Sequence, residues 1–270
     1  MRSAEMAAGR FQVWSVSPPL PDPRKWLTPA STTGGRVQDR YAGDIGDYVK
    51  LGLLRHLSRG RRLGVAWYLH PDESHNGDGR HVSYLQDPDR WRRLDPALFD
   101  GLRSIPASAR SVAALENFGT AGTVCVREPC ACPLPSFRDR SAWRMHWFLR
   151  AMAALKDCDI VFADPDNGLV DDSPKRRSRK VFAKQIPLSE AVLLSAGRTA
   201  VIYHHNSRYK GGHDAETSYW IARLGPGTLA VRSKAWSCRT FFVVNPDSRT
   251  ARRTAEFCDR WSAHGVRMQG

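Results

Sequence analysis

With 270 residues, 41% of them hydrophobic and 25% charged, the chain has the ordinary make-up of a globular protein and enough material to bury a full core. No apolar run approaches the roughly 20 residues that span a bilayer, which excludes an integral helical membrane protein. The formal net charge of +14, carried mostly by arginine, fits equally a polyanionic partner such as nucleic acid and arginine-rich solvated faces.

In chain order, residues 1–38 read as a Pro/Gly-rich tail, because Pro18-Pro19, Pro21, Pro23 and Ser31-Thr32-Thr33-Gly34-Gly35 carry no apolar periodicity. Met1–Arg10 has no continuous apolar stretch of the kind that marks an export signal, so the expected location is cytoplasmic. Residues 39–270 are expected to form a single α/β domain. Gly43-Asp44-Ile45-Gly46-Asp47 predicts a turn with a helix cap, and Val49, Leu53, Leu54 and Leu57 share one face of the helix that follows. Leu63–Leu69 predicts a strand, followed by a polar loop from His70 to Arg80. Pro96–Ile105 predicts a helix and Ser111–Leu115 a strand ending at Glu116. Residues 119–137 are rich in glycine and proline and read as loop. Trp143–Leu155 has helical spacing through Met145, Phe148, Met152 and Leu155, and Ile160-Val161-Phe162-Ala163 is the clearest strand. Lys175–Lys180 reads as a basic loop, Leu188–Ser195 as a helix, Thr199–Tyr203 as a strand and Thr217–Leu224 as a helix. Leu229–Arg232 and Thr240–Val244 read as two closing strands.

Strands alternating with helices, each strand apolar on both faces, predict a Rossmann-like, mostly parallel sheet with helices on both faces and a late antiparallel strand pair. In such folds ligands bind at the carboxyl ends of the strands. Polar clusters follow four expected strands: the loop from His70, Glu116, Asp164-Pro165-Asp166-Asn167-Gly168, and Tyr203-His204-His205-Asn206-Ser207-Arg208. Pro165 fixes a rigid turn and keeps Asp164 out of helical geometry, so Asp166 and Asn167 face the strand ends. His204 and His205 alternate about a strand, one facing the core and the other the site. Gly211-Gly212-His213 reads as a loop with a further imidazole, in the manner of a lid. The three cysteines Cys125, Cys130 and Cys132 lack the C-x2-C pairing of a structural zinc site and read as reduced thiols. His70, His75, His204, His205, His213, Asp72, Asp164 and Asp166 match no compact metal-ligand spacing, so no metal is assigned.

The order of elements resembles class I S-adenosylmethionine-dependent methyltransferases, and remotely the bacterial 23S ribosomal RNA adenine-N6 methyltransferases. The likeness lies in Ala42-Gly43, Asp47 and Lys50 ahead of the first helix and strand, in Gly77-Asp78-Gly79-Arg80 after that strand, and in Asp164-Pro165-Asp166-Asn167. Asp166 and Asn167 stand where that family has a second proline and an aromatic residue. The resemblance implies S-adenosylmethionine as cofactor, with Gly43, Asp47, Lys50, His70, Gly77, Asp78, Gly79 and Glu116 around it. It implies catalytic roles for Asp164, Asp166, Asn167 and His204, with Asp164 orienting or deprotonating the acceptor. The basic charge favours nucleic acid as that acceptor. Two other readings use the same strand ends: a metal-dependent phosphoesterase or nuclease, and a non-catalytic nucleic-acid-binding module.

Overall fold

The computed structural model of the chain describes residues 42–70, 81–132, 137–235 and 238–270. The expected tail over residues 1–38 lies outside the described residues. Helix α1 (Ile45–Leu57) is followed by strand β1 (Leu63–Trp67), helices α2 (Pro88–Trp91), α3 (Pro96–Ser104) and α4 (Val112–Glu116), and strand β2 (Val124–Val126). Helix α5 (Phe137–Ala154) leads into β3 (Ile160–Asp164), β4 (Gly168–Val170), α6 (Pro174–Arg177), β5 (Gln185–Pro187) and α7 (Leu188–Leu194). Then come β6 (Thr199–His205), α8 (Gly212–Leu224), β7 (Leu229–Ser233), β8 (Arg239–Val244), α9 (Ser248–Trp261) and β9 (Val266–Gln269).

Seven strands form one sheet in the order β2-β1-β3-β6-β8-β7-β9. Strands β2, β1, β3 and β6 run parallel. Strand β8 enters antiparallel between β6 and β7, and β9 adds antiparallel to β7. The fold is therefore the α/β, Rossmann-like sheet that the alternation of elements predicts, with its late antiparallel pair. A small parallel ladder of β4 and β5 stands apart from the main sheet. No helix among the described residues is long and apolar enough to cross a membrane.

The period of two along each strand divides the core. Leu63, Val65 and Trp67, Ile160 and Phe162, and Val201 join a cluster with α1, α3 and α9. The intervening Ala66, Val161, Ala163, Ala200 and Ile202 join a second cluster with α5, α7 and α8. Both faces of β1, β3 and β6 are thus buried, which is why these three strands read as continuous apolar runs.

Several expectations give way to local chemistry. Ser111–Leu115 is not a strand: the Ser111 hydroxyl accepts from the Ala114 amide at 3.1 Å and starts α4. The strand lies instead at Val124–Val126, inside the stretch read as loop. Helix α5 forms, but its buried stripe is Arg144, Trp147, Phe148 and Ala151, whereas Met145 is exposed. Lys175–Arg177 is helical rather than loop. Gly212 and His213 are the first residues of α8, behind Gly211 at φ 95°, rather than a lid. After Val244 the chain adds α9, capped by Asp247 on the Thr250 amide, and the edge strand β9.

Gly168 ties the turn after β3 to its neighbour. Its φ is 82°, and an added Cβ would lie 2.5 Å from His204 Nδ1 and 2.6 Å from His204 Cα. Only glycine permits both the left-handed backbone and this approach to β6. Gly168→Ala is expected to lower stability by roughly 2–5 kcal/mol, combining backbone strain with overpacking. Gly197 also has positive φ but meets nothing within 4 Å, so Gly197→Ala isolates the backbone cost at about 1 kcal/mol. Urea unfolding of the two variants measures the difference.

Candidate active site

Strand order reverses between β1 and β3, because β2 extends the sheet on one side of β1 and the later strands extend it on the other. A crevice opens at such a switch point beyond the carboxyl ends of the strands. Trp67 ends β1 and pairs in register with Asp164 at the end of β3. The alternation that buries Val65, Phe162 and Val201 against α1 also directs Trp67, Asp164 and Tyr203 to that face.

Helix α1 meets these strand ends with its first turns. Asp44 caps it by accepting from the Asp47 amide at 2.9 Å, and Asp47 returns a carboxylate to the Gly43 amide at 2.8 Å. This reciprocal cap satisfies free donors at the helix start and fixes both carboxylates. One turn on, Lys50 Nζ lies 2.7 Å from Asp47 and 2.8 Å from Asp164 Oδ2. The Lys50 and Asp164 side chains are only 10% and 16% exposed. Nζ also lies 5.4 Å from the Trp67 ring centroid and 6.0 Å from those of Phe162 and Tyr203. Arg239, at the start of β8, approaches Asp44 at 3.9 Å. Its guanidinium lies where a Cβ on Gly46 would be, 1.3 Å from that position, so the missing side chain makes room for it.

Three carboxylates thus face two cations in a poorly solvated corner. Burial works against charge on Lys50, but Asp164 and Asp47 outweigh it and hold the ammonium above the ordinary lysine range. Burial pushes the Asp164 carboxyl up from 3.8, with Lys50 opposing. Asp44 is also raised, first by burial and then by the charge of Asp47. The Tyr203 phenol is pushed up to about 12 by burial, which Arg239 opposes and Asp164 reinforces.

The other expected site residues divide around this corner. Asp166 lies 3.4 Å from Lys184, and the Asn167 amide donates to the Lys184 carbonyl at 2.8 Å, leaving the Asn167 side chain exposed. Glu116 sits at the end of α4 rather than of a strand. It still abuts β1, accepting from Trp67 Nε1 at 2.8 Å and pairing with Arg127. His70 lines a second cavity with Cys130, Cys132 and Arg144. Gly77, Asp78 and Gly79, with Asp72 and His75, lie outside the described residues. The chain before them ends β1, and His81 beyond them accepts from the Ile45 amide at 3.0 Å, against the start of α1. Tyr84 donates to the Gly43 carbonyl at 3.0 Å beside it.

His204 belongs to the opposite face. Its Nδ1 accepts from the Leu169 amide at 3.0 Å, so the proton is assigned to Nε2, 3.2 Å from Glu216. Glu216 also accepts from Asn206, from the Ser207 amide at 2.9 Å and from the Ser207 hydroxyl at 2.6 Å. With both nitrogens engaged, His204 positions the end of β6 rather than reaching into the crevice. Among the described residues, no three His, Cys, Asp or Glu side chains converge as a metal-binding group. Sequence reasoning passed over Trp67, Arg239 and Glu216, and named Tyr203 only as part of a strand-end cluster. The alternation from Val65 and Val201 points to Trp67 and Tyr203, whereas only tertiary structure brings Arg239 and Glu216 into place. Comparison of the chain with known protein families matched none, and comparison with curated proteins matched none.

Removing Lys50 would leave two buried carboxylates without a counter-charge. Lys50→Met is expected to cost about 3–5 kcal/mol in denaturant unfolding, and adding Asp164→Asn to recover part of that loss. Independent effects of the two substitutions would show that the ion pair is energetically idle.

Glu216 generates a pH dependence. Its hydrogen bonds overcome burial and lower its pKa from 4.5 to about 2. A carboxylate depressed in the folded state contributes stability that is fully present above its unfolded value and is lost as pH falls through its folded one. Wild-type stability should therefore drop by up to about 3 kcal/mol between pH 5 and 2 from this group. The gap between wild type and Glu216→Gln should close over the same window in urea titrations.

Proposed function

We propose that the chain is an S-adenosylmethionine-dependent methyltransferase acting on nucleic acid. The observation that carries this reading is the acid-rich corner at the β1–β3 switch point, where Asp44, Asp47 and Asp164 outnumber Lys50 and Arg239. That surplus of buried negative charge fits a cationic ligand, and S-adenosylmethionine carries both a sulfonium and an ammonium group. When bound, it supplies an electrophilic methyl group.

The residues of the chain then divide the work. Asp47 and Lys50 hold the first turns of α1 against β3, so the crevice keeps its shape. Asp164 spends Oδ2 on Lys50, leaving Oδ1 to accept from an acceptor N–H or O–H. Its burial raises its proton affinity above that of an exposed carboxylate, which suits a hydrogen-bond acceptor that orients the nucleophile and draws off its proton. The exposed Asn167 amide offers both a donor and an acceptor to the edge of an incoming base. Asp166 is held back by Lys184 and steadies the turn. The basic charge of the chain favours nucleic acid over a small-molecule acceptor.

The phosphoesterase reading is less well supported, because Lys50 Nζ occupies the point between Asp47 and Asp164 that a bridging divalent ion would take. Isothermal titration calorimetry separates the readings. Wild type is expected to bind S-adenosylmethionine and S-adenosylhomocysteine, with Asp164→Asn retaining S-adenosylhomocysteine but losing methyl transfer to RNA or DNA by at least about 100-fold. Absence of heat from both ligands would overturn the proposal. Phosphodiester cleavage abolished by chelator and restored by Mg²⁺ would install the alternative.

A further inference from the structure

Beside the turn after β3 lies a second cavity, of about 240 Å³, lined by His70, Arg140, Arg144, Arg177, Arg179 and Lys180 together with Cys130, Cys132 and Phe182. Its lining contains five permanent cations and no carboxylate. We propose that this cavity binds a phosphate group of the nucleic-acid acceptor.

The cavity is built rather than accidental. Arg144 is buried at its wall, with Nε and Nη2 bound to Glu190 and Nη2 also to the Gln185 carbonyl at 2.8 Å. Its guanidinium is clamped among the rings of Tyr68, Trp147 and Phe182, 4.7–5.0 Å from their centroids. Yet Arg144 Nη1 is buried and makes no hydrogen bond among the described residues. A buried guanidinium N–H without an acceptor is costly to a fold, and Arg144 lines a cavity whose wall is otherwise cationic and suited to an oxyanion.

Two acids neutralise part of the positive charge from outside the cavity: Glu190 on Arg144, and Asp172 on Arg177 at 3.0 Å. Arg140 donates to the Ser178 carbonyl at 2.8 Å, which fixes its fork near the same wall. Arg179 and Lys180 are exposed at the rim. The arrangement pairs one buried, clamped donor with exposed surface cations, which suits a phosphate held at one end and solvated at the other. A volume below the roughly 300–1,000 Å³ of pockets that enclose a whole ligand suits one group of a larger molecule.

Position selects the source of the phosphate. Cys130 Sγ donates to the Ala183 carbonyl at 2.9 Å, and the next residue, Lys184, holds Asp166 and the Asn167 amide. A polynucleotide gripped at this cavity would run past the Asp166–Asn167 turn toward Asp164. The choice of nucleic acid rests on the methyltransferase reading; the phosphate site does not.

Fluorescence anisotropy of a labelled single-stranded RNA oligonucleotide, measured over a series of salt concentrations, tests the proposal. Arg179→Ala/Lys180→Ala removes two rim cations without touching the crevice. It is expected to weaken binding by about 10-fold and to reduce the slope of log affinity against log salt by about 1.4. Thermal unfolding of the same preparation checks its fold, and S-adenosylhomocysteine titration checks the crevice. Unchanged RNA affinity and slope, with S-adenosylhomocysteine bound, would overturn the phosphate site and leave the methyltransferase reading standing. RNA binding lost in the variant, with no S-adenosylhomocysteine bound by wild type, would keep the phosphate site and remove that reading. Titration with inorganic phosphate forms a further arm: binding of free phosphate, lost in the variant, with no RNA binding by wild type, would overturn the assignment to nucleic acid.

Discussion

An ammonium group held away from water between Asp47 and Asp164 joins α1 to β3, an inner strand of the sheet. Taking each of these ions out of water costs several kcal/mol, and only their mutual attraction with good hydrogen-bond geometry offsets the cost. The pair therefore tolerates little displacement of either element. The reciprocal cap of Asp44 and Asp47 fixes the start of α1, and the rings of Trp67, Phe162 and Tyr203 close around the lysine. The arrangement adds little net stability for the charge it buries. What it fixes is position: the carboxylate of Asp164 meets the crevice in one orientation.

The pleat of the sheet sets a division between the two faces. Residues of one parity bring Trp67, Asp164 and Tyr203 to α1, where charge is concentrated and partly unsatisfied. Residues of the other parity bring His204 to α8, where Glu216 is surrounded by donors from Asn206 and Ser207. The first arrangement leaves capacity for a ligand and the second leaves none. Gly168 couples them, because its backbone passes against His204 on its way out of the Asp164 turn.

Much of this was legible in the sequence where the signal is local. The helix from Ile45 announces itself by its cap and apolar spacing, and the strand Ile160–Asp164 by four apolar residues running into Asp-Pro-Asp-Asn-Gly. Short segments were less legible. Ser111–Leu115 carries enough apolar residues for a strand, but a hydroxyl three residues before Ala114 decides for a helix. Val124–Val126 is a three-residue edge strand whose pairing comes entirely from β1. Helix α9 shows apolar or small buried residues only at Thr250, Thr254, Phe257, Cys258 and Trp261, diluted by arginines. In the site, Asp47, Lys50 and Asp164 were each conspicuous alone, whereas their convergence depends on how α1 lies across the sheet. The basic cavity draws on four separate stretches of chain, and none of them states the others' positions.

The contact between Lys50 and Asp164 spans 114 residues. At ribosomal rates of about 5–20 residues per second, the aspartate emerges roughly 6–23 s after the lysine. Throughout that interval Lys50 has only Asp47, on its own helix, as a partner, and the aromatic rings of Phe162 and Tyr203 do not yet exist to cover it. A nascent chain can therefore form α1 early but holds its charged side open to water until β3 and β6 are made. The corner is therefore completed only once β3 has been made, and a chain that ends before it lacks the carboxylate that Lys50 meets across the sheet.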